Sequence, residues 1–201
     1  MPSPAISIGA WRSCLGNTEY VQDFGSVRIA ERTSLTIVEV ALWANPALLL
    51  EISPILGSAN GRIAGHGDGW ALLPLGPQRW HLVSESGSAW PATLRNLVPE
   101  DAGAVIELGE GRCVLRVDGD RSVDLLAKGI SLDLDDAAFP NGQVTGTNCH
   151  RIAVILHRAG PRTFDLYVYR GFARSLVDLL ELDAMELTSK SMDMPNRLES
   201  Q

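Results

Sequence analysis

The stretch Trp70-Ala71-Leu72-Leu73-Pro74-Leu75-Gly76-Pro77-Gln78-Arg79-Trp80-His81-Leu82-Val83-Ser84 governs how the chain folds. Two strands, Trp70 to Leu75 and Arg79 to Ser84, flank the tight turn Gly76-Pro77-Gln78. That arrangement predicts a β-hairpin. Upstream, Thr36-Ile37-Val38-Glu39-Val40 is rich in β-branched residues and predicts a strand. Asn45-Pro46 follows, an N-cap residue with proline at the first helical position, so a helix is expected from Pro46 until Pro54 weakens it. The glycine-rich stretch Gly57 to Gly69 leads into the hairpin. Downstream, Trp90, Leu94, Leu97 and Val98 fall at helical spacing and predict a helix over Ser88 to Val98, stopped by Pro99.

The second part of the chain repeats this plan. Cys113-Val114-Leu115-Arg116-Val117 alternates as a strand, and Asp118-Gly119-Asp120 turns into a short helix with Val123, Leu126 and Ala127 on its buried side. Gly129 stands where a left-handed residue would end that helix. Ile152 to His157 and Phe164 to Tyr169 are strands joined through Ala159-Gly160-Pro161-Arg162. A last helix runs from about Gly171 to Met185, with Phe172, Leu176, Leu179 and Leu180 on one face. The apolar phase of the strands puts Ile37, Leu115, Val154 and Leu166 in the core.

Each half thus reads strand, helix, strand, strand, helix, which is an α+β architecture of antiparallel hairpins with helices on one face. The expected organisation is an N-terminal arm over 1–20, one domain over 21–187 and a polar tail over 188–201. The domain comprises two pseudo-repeated halves, about 25–103 and 104–187. Arm and tail should order only against a partner.

Composition narrows the function. The chain has 201 residues, a net charge of −7 and scattered Lys and Arg. Without a basic stripe, phosphate-backbone binding is not expected, and nucleic acid is excluded as a partner. Met1 to Tyr20 lacks the pattern of a secretory signal. The longest apolar stretch, Val38 to Leu56, is interrupted by Glu39, Asn45, Pro46, Glu51 and Pro54, so no membrane span is expected. The three cysteines, Cys14, Cys113 and Cys149, are odd in number and distant in sequence. That pattern argues against a disulfide framework and for a reducing, cytoplasmic setting. Charged residues make up 20% of the chain, below the usual quarter, and five tryptophans are present; both point to surface covered by a partner.

Candidate sites fail one by one. Gly65, Gly67 and Gly69 suggest a phosphate loop, but Trp70 stands where a dinucleotide fingerprint needs its third glycine, and a strand follows. They read as a loop without ligand. Gly109 and Gly111 fail likewise at Val114. Cys149, His150 and His157 lack the local ligand pairs of a zinc site, and adjacent Cys149 and His150 point to opposite faces of an extended segment. Cys113 reads as an inert core thiol. Asp135 and Asp136 read as a solvated pair in a loop, and no nucleophile elbow exists. Trp70 and Trp80 read as core or interface anchors. No catalytic, cofactor-binding or metal-binding residue is expected.

Several motifs resemble one family. Leu75-Gly76-Pro77-Gln78-Arg79-Trp80-His81-Leu82 is similar to a Leu-Gly-Pro-x-x-Trp-Leu-Leu hairpin in the gamma subunits of heterotetrameric sarcosine oxidase. The resemblance continues through Glu107-Leu108, Arg112 to Gly119, Leu126-Ala127-Lys128-Gly129, Asp133-Leu134 and Phe139-Pro140. Val154 to Arg158, Phe164 to Val168 and Phe172 to Leu176 complete it. It covers about residues 25 to 185; His81 departs from it by replacing an apolar residue, and Cys149-His150 stands where an uncharged loop is expected.

The resemblance implies a fold related to the folate-binding domain of aminomethyltransferases. It also implies a non-catalytic subunit alongside alpha, beta and delta subunits. Such a complex oxidatively demethylates sarcosine, or a related N-methyl amine, to glycine. The one-carbon unit passes to tetrahydrofolate and hydrogen peroxide forms, with FAD, FMN, NAD, tetrahydrofolate and zinc held by the partner subunits. The alternative is a stand-alone folate-binding protein of the same fold.

Overall fold

The computed structural model describes residues 13–16, 19–43 and 61–192. The helix expected from Pro46 lies outside them. In chain order the elements are β1 (Val21–Asp23), β2 (Arg28–Glu31), β3 (Leu35–Leu42), β4 (Gly65–Gly67), β5 (Trp70–Gly76) and β6 (Arg79–Glu85). Then come α1 (Trp90–Leu97), β7 (Gly103–Glu107), β8 (Arg112–Asp118), α2 (Ser122–Gly129), β9 (Val144–Cys149), β10 (Ile152–Gly160), β11 (Thr163–Tyr169) and α3 (Ala173–Met192). They form a six-stranded sheet, β1-β2-β8-β11-β10-β9, and a five-stranded sheet, β4-β5-β6-β3-β7, antiparallel throughout.

Alternation within the strands sorts side chains into three cores. Val38, Val40, Leu72 and Leu82 pack under Leu94 of α1. Leu115, Val117, Leu156 and Leu166 pack under Leu125 and Leu126 of α2 and Leu176 and Leu180 of α3. The opposite faces of the sheets meet each other, with Ile37, Leu73 and Val83 packing on Val114, Val144 and Tyr167. The layers are therefore helix, sheet, sheet, helices. Ile37, Leu115, Val154 and Leu166 are all buried, as the strand phase requires.

The halves are repeats, and a shared defect sets their alignment. In β5/β6 the register slips between Pro74 and Gly76, and in β10/β11 between Arg158 and Gly160. Each slip is a one-residue bulge directly before a Gly-Pro turn, which bends and twists the ribbon. Superposing the bulges places β5 on β10, β6 on β11 and β3 on β8. The strand before each half's first strand lies in the other half's sheet: β2 pairs with β8, and β7 pairs with β3. The sheets also touch along one margin, where Ala64 N–H donates to the Gly142 carbonyl (2.7 Å) and Val144 N–H to that of Arg62 (2.7 Å).

Several sequence expectations need correcting. Five short strands, β1, β2, β4, β7 and β9, add to the plan read from sequence. Gly65–Gly67 is paired to β5 rather than a loop, and Gly67 is glycine because a Cβ would fall 2.2 Å from the Trp70 indole. Gly129 is the last residue of α2 and is absent from the positive-φ glycines. Its Cβ would meet the His150 ring at 2.7 Å, so close approach, not a left-handed turn, demands glycine. The buried side of α2 uses Leu125 with Leu126, and Ala127 is exposed. Phe172 lies in a 3-10 turn before α3 and is exposed; Ala173, Leu176, Val177 and Leu180 form the buried face instead. The last helix continues to Met192. In the expected arm, Cys14, Leu15 and Tyr20 pack against the core under α2 and α3.

Candidate functional site

The facing surfaces of the two sheets carry polar side chains that sequence reasoning left scattered. Asp165 on β11 is buried and opposes Arg116 on β8. It accepts bonds from Arg116 Nε (2.8 Å) and Nη2 (2.9 Å), and a third from Arg32 Nη1 (2.9 Å). Two guanidiniums against one carboxylate leave one net positive charge. Next to Asp165 in the sheet, His157 on β10 is 2% exposed. Among the described residues neither of its ring nitrogens has a hydrogen-bond partner, and its ring stacks on His66 of β4 at 5.7 Å between centroids. These groups, with Trp70 and Tyr167, line a cleft of about 310 Å³ between the sheets.

Burial dominates the electrostatics here. It pulls His157 down to about 4, so the imidazole is neutral near pH 7. Burial also pushes the Tyr167 phenol up. A neutral imidazole with one donor and one acceptor free, beside a net positive pair of arginines, can hold a small polar or anionic guest. It is a weak base at neutral pH, so the arrangement suits binding rather than proton transfer.

The first half carries the equivalent pair with different chemistry. Glu39 opposes His81 across β3 and β6, with Nε2 to Oε2 at 3.1 Å, and Arg79 Nη2 reaches Glu39 at 2.7 Å. Burial lowers His81 to about 4 despite that carboxylate. His81, the departure noted in sequence, is thus part of a buried polar pair.

The structure separates the residues considered as a metal cluster. Cys149 is buried beside Gly129, with burial pushing its thiol up to about 12. His150 bonds Asp183 at 2.8 Å, while His157 faces the inter-sheet cleft. Asp136 is paired to Arg158, which is 2% exposed and donates from Nη1 to the carbonyls of Leu134 (3.0 Å) and Phe139 (2.7 Å). Arg158 Nη2 also reaches the Pro161 carbonyl at 2.6 Å. The acidic loop is therefore wrapped around one buried guanidinium. Trp70 and Trp80 both pack on the α1 core.

One grouping was not visible from spacing. Cys14, Glu31 and Cys113 bring their sulfur and carboxylate atoms within 4.8 Å of one another. Glu31 ends β2 opposite Leu115, and Cys113 lies two residues along the same face of β8. No local pair announces the site, because its three residues belong to separate segments.

With this geometry, the sheets and their covering helices define a fold shared with solved proteins. The structure is similar to a chain of the heterotetrameric sarcosine oxidase from Corynebacterium sp. U-96, solved with pyrrole 2-carboxylate. The TM-score is 0.75 at 24% identity, covering 84% of this chain and 88% of that one. It is also similar to the glycine cleavage system aminomethyltransferase T from Bartonella henselae, with TM-score 0.57 at 18% identity, covering 75% of this chain and 44% of that one. The model of the sarcosine oxidase gamma subunit family matches residues 47–186, and the chain belongs to that family.

Among characterised relatives, the sarcosine oxidase subunit gamma of Corynebacterium sp. (strain U-96) is 31% identical over 130 residues, 65% of this chain and 63% of that protein. The chain thus spans just under two thirds of that relative's length. The subunit gamma of Arthrobacter sp is 30% identical over 139 residues, 69% of this chain and 68% of that protein. Among the described residues, no helix is long and apolar enough to cross a membrane.

Proposed function

We propose that this chain is the gamma subunit of a heterotetrameric sarcosine oxidase and serves it as a structural, non-catalytic component. The observation that carries this reading is the family match over residues 47–186, together with relatives named as that subunit. The partners are alpha, beta and delta subunits. The complex demethylates sarcosine or a related N-methyl amine to glycine in the cytoplasm, passing the one-carbon unit to tetrahydrofolate and forming hydrogen peroxide. FAD, FMN, NAD, tetrahydrofolate and zinc are held by the partners.

Two features support the structural role. The cleft's buried His157 is a weak base at neutral pH, and large apolar side chains stand in solvent. Trp43, Ile106, Tyr169, Phe172, Leu182 and Met185 are each half exposed or more. Apolar area of this kind marks contact surface. Co-expression with a large alpha-type subunit should give co-elution in fixed proportion, and the chain alone should be colourless and prone to self-association. A monodisperse monomer that binds tetrahydrofolate and ignores those subunits would sink this reading in favour of the stand-alone folate-binding alternative.

A further inference from the structure

We propose that Cys14, Glu31 and Cys113 form a binding site for a thiophilic divalent cation such as zinc, which clips the N-terminal segment onto the six-stranded sheet. The ligand atoms all lie within 4.8 Å of one another. Tetrahedral zinc with sulfur ligands at about 2.3 Å sets neighbouring ligand atoms about 3.8 Å apart, so closure needs movement of about 1 Å or less. Two of the ligands are fixed by the fold. Glu31 and Cys113 lie on the paired strands β2 and β8, point to the same face and are both nearly fully buried.

The third ligand is already delivered to them. Cys14 N–H donates to Glu31 Oε1 at 2.7 Å, and Ser13 Oγ donates to the other carboxylate oxygen. Cys14 Sγ lies 3.8 Å from the Arg112 carbonyl, and Cys113 Sγ lies 3.7 Å from Glu31 Oε1. Arg170 Nη2 holds the Ser13 carbonyl at 3.0 Å. Ser13 thereby plays the part that outer hydrogen-bond donors play in metal sites, setting the carboxylate's orientation.

The donor set indicates the metal class. Two thiolates exclude magnesium and calcium, which take oxygen ligands, and one carboxylate beside them suits zinc, cobalt or cadmium. On binding, both thiols release their protons, and the cation's two charges offset most of the three negative charges then gathered. Cys14 is half-buried, so the fourth position is open to a water molecule. The energetic consequence is attachment: a metal bound across residues 14, 31 and 113 makes release of the N-terminal segment conditional on metal loss.

The test uses the full chain, stripped with chelator under reducing conditions and titrated with cobalt(II). One equivalent should produce tetrahedral visible bands and a near-ultraviolet sulfur-to-cobalt band with the intensity of two thiolates, displaced by zinc. Cys14→Ser, at a half-buried position, should keep the fold and halve that band, with affinity weakened at least about tenfold. Ser13→Ala should weaken binding about tenfold with an unchanged spectrum. Cys149→Ala should bind as the parent does. An octahedral, water-like cobalt spectrum would overturn the proposal. So would a sulfur band that survives Cys14→Ser intact, or a Cys14–Cys113 disulfide that forms in air and leaves no cobalt uptake under reduction.

Discussion

Glu39 and Arg116 occupy the same place in the two halves and carry opposite charge. The bulges that align β5/β6 with β10/β11 put His81 on Asp165, and the ladders β3/β6 and β8/β11 then put Glu39 on Arg116. A carboxylate facing a histidine in one sheet is matched by a guanidinium facing a carboxylate in the other. Each half thus has a polar pair across its central ladder, with opposite charge on the first strand of the pair.

Removing the anion of the second pair should be costly. Asp165→Ala leaves Arg32 and Arg116, each about a third exposed, without their shared carboxylate in the inter-sheet cleft. Losing charge-assisted hydrogen bonds from guanidiniums that keep part of their hydration should cost about 1–3 kcal/mol. The urea midpoint should fall accordingly with little change in slope, and a variant within about 0.5 kcal/mol of the parent would refute the pair's structural importance.

The two buried histidines predict loss of stability in mild acid. His81 and His157 titrate at about 4 in the fold, chiefly because of burial, against 6.5 in the open chain. Their folded values are depressed, so the unfolded chain binds protons first as pH falls. Stability is full above about pH 6.5 and drains toward pH 4, by up to about 3 kcal/mol for each group. His157 faces His66, Asp165, Arg116 and Arg32, all of which remain when it is replaced. Denaturant titrations from pH 7 to 4.5 should show a shallower decline for His157→Leu than for the parent; parallel declines would remove His157 from the account.

Arg158 should hold the loop between α2 and β9. Its Nη atoms bind the carbonyls of Leu134, Phe139 and Pro161. Arg158→Met keeps the apolar stem but orphans those carbonyls, each worth about 1 kcal/mol or more when buried. Hydrogen exchange over residues 131–143 should accelerate well ahead of exchange in β10 and β11. Uniform acceleration would mean that the guanidinium supports the whole core rather than the loop.

Leu115→Asp should abolish soluble expression. Leu115 is fully buried between β2 and β11, under α2 and α3, and an unpaired carboxylate there costs several kcal/mol. A cooperatively folding variant would contradict the core described for this sheet.

The long, regular parts of this fold were legible in the sequence, and the parts missed share a physical character. Trp70 to Ser84 declared itself because two short strand-forming stretches meet at a Gly-Pro turn. By contrast, β9 reads Val-Thr-Gly-Thr-Asn-Cys, a polar strand at the margin of its sheet, so alternation is weak. β2 is four residues long and contains a buried Glu31, whose burial no local pattern announces. The cleft was hidden for a related reason: Arg32, His66, Arg116, His157 and Asp165 come from five segments, and only strand pairing together with the stacking of the two sheets gathers them. Leu75-Gly76-Pro77 and Ala159-Gly160-Pro161 hold more than a turn signal. Aligning the two Gly-Pro pairs matches Leu73 to His157 and His81 to Asp165 by residue count alone.

The exchange of β2 and β7 between the sheets has a consequence for mass action. A polypeptide carrying one half alone would own a strand whose place is in a different sheet, and an empty slot beside its own first strand. Its ladder could be completed only by a second molecule, so its stability would rise and fall with protein concentration. Carrying both halves on one chain turns that encounter into an intramolecular closure, at an effective concentration fixed by the linker between them. Dilution then leaves each sheet complete.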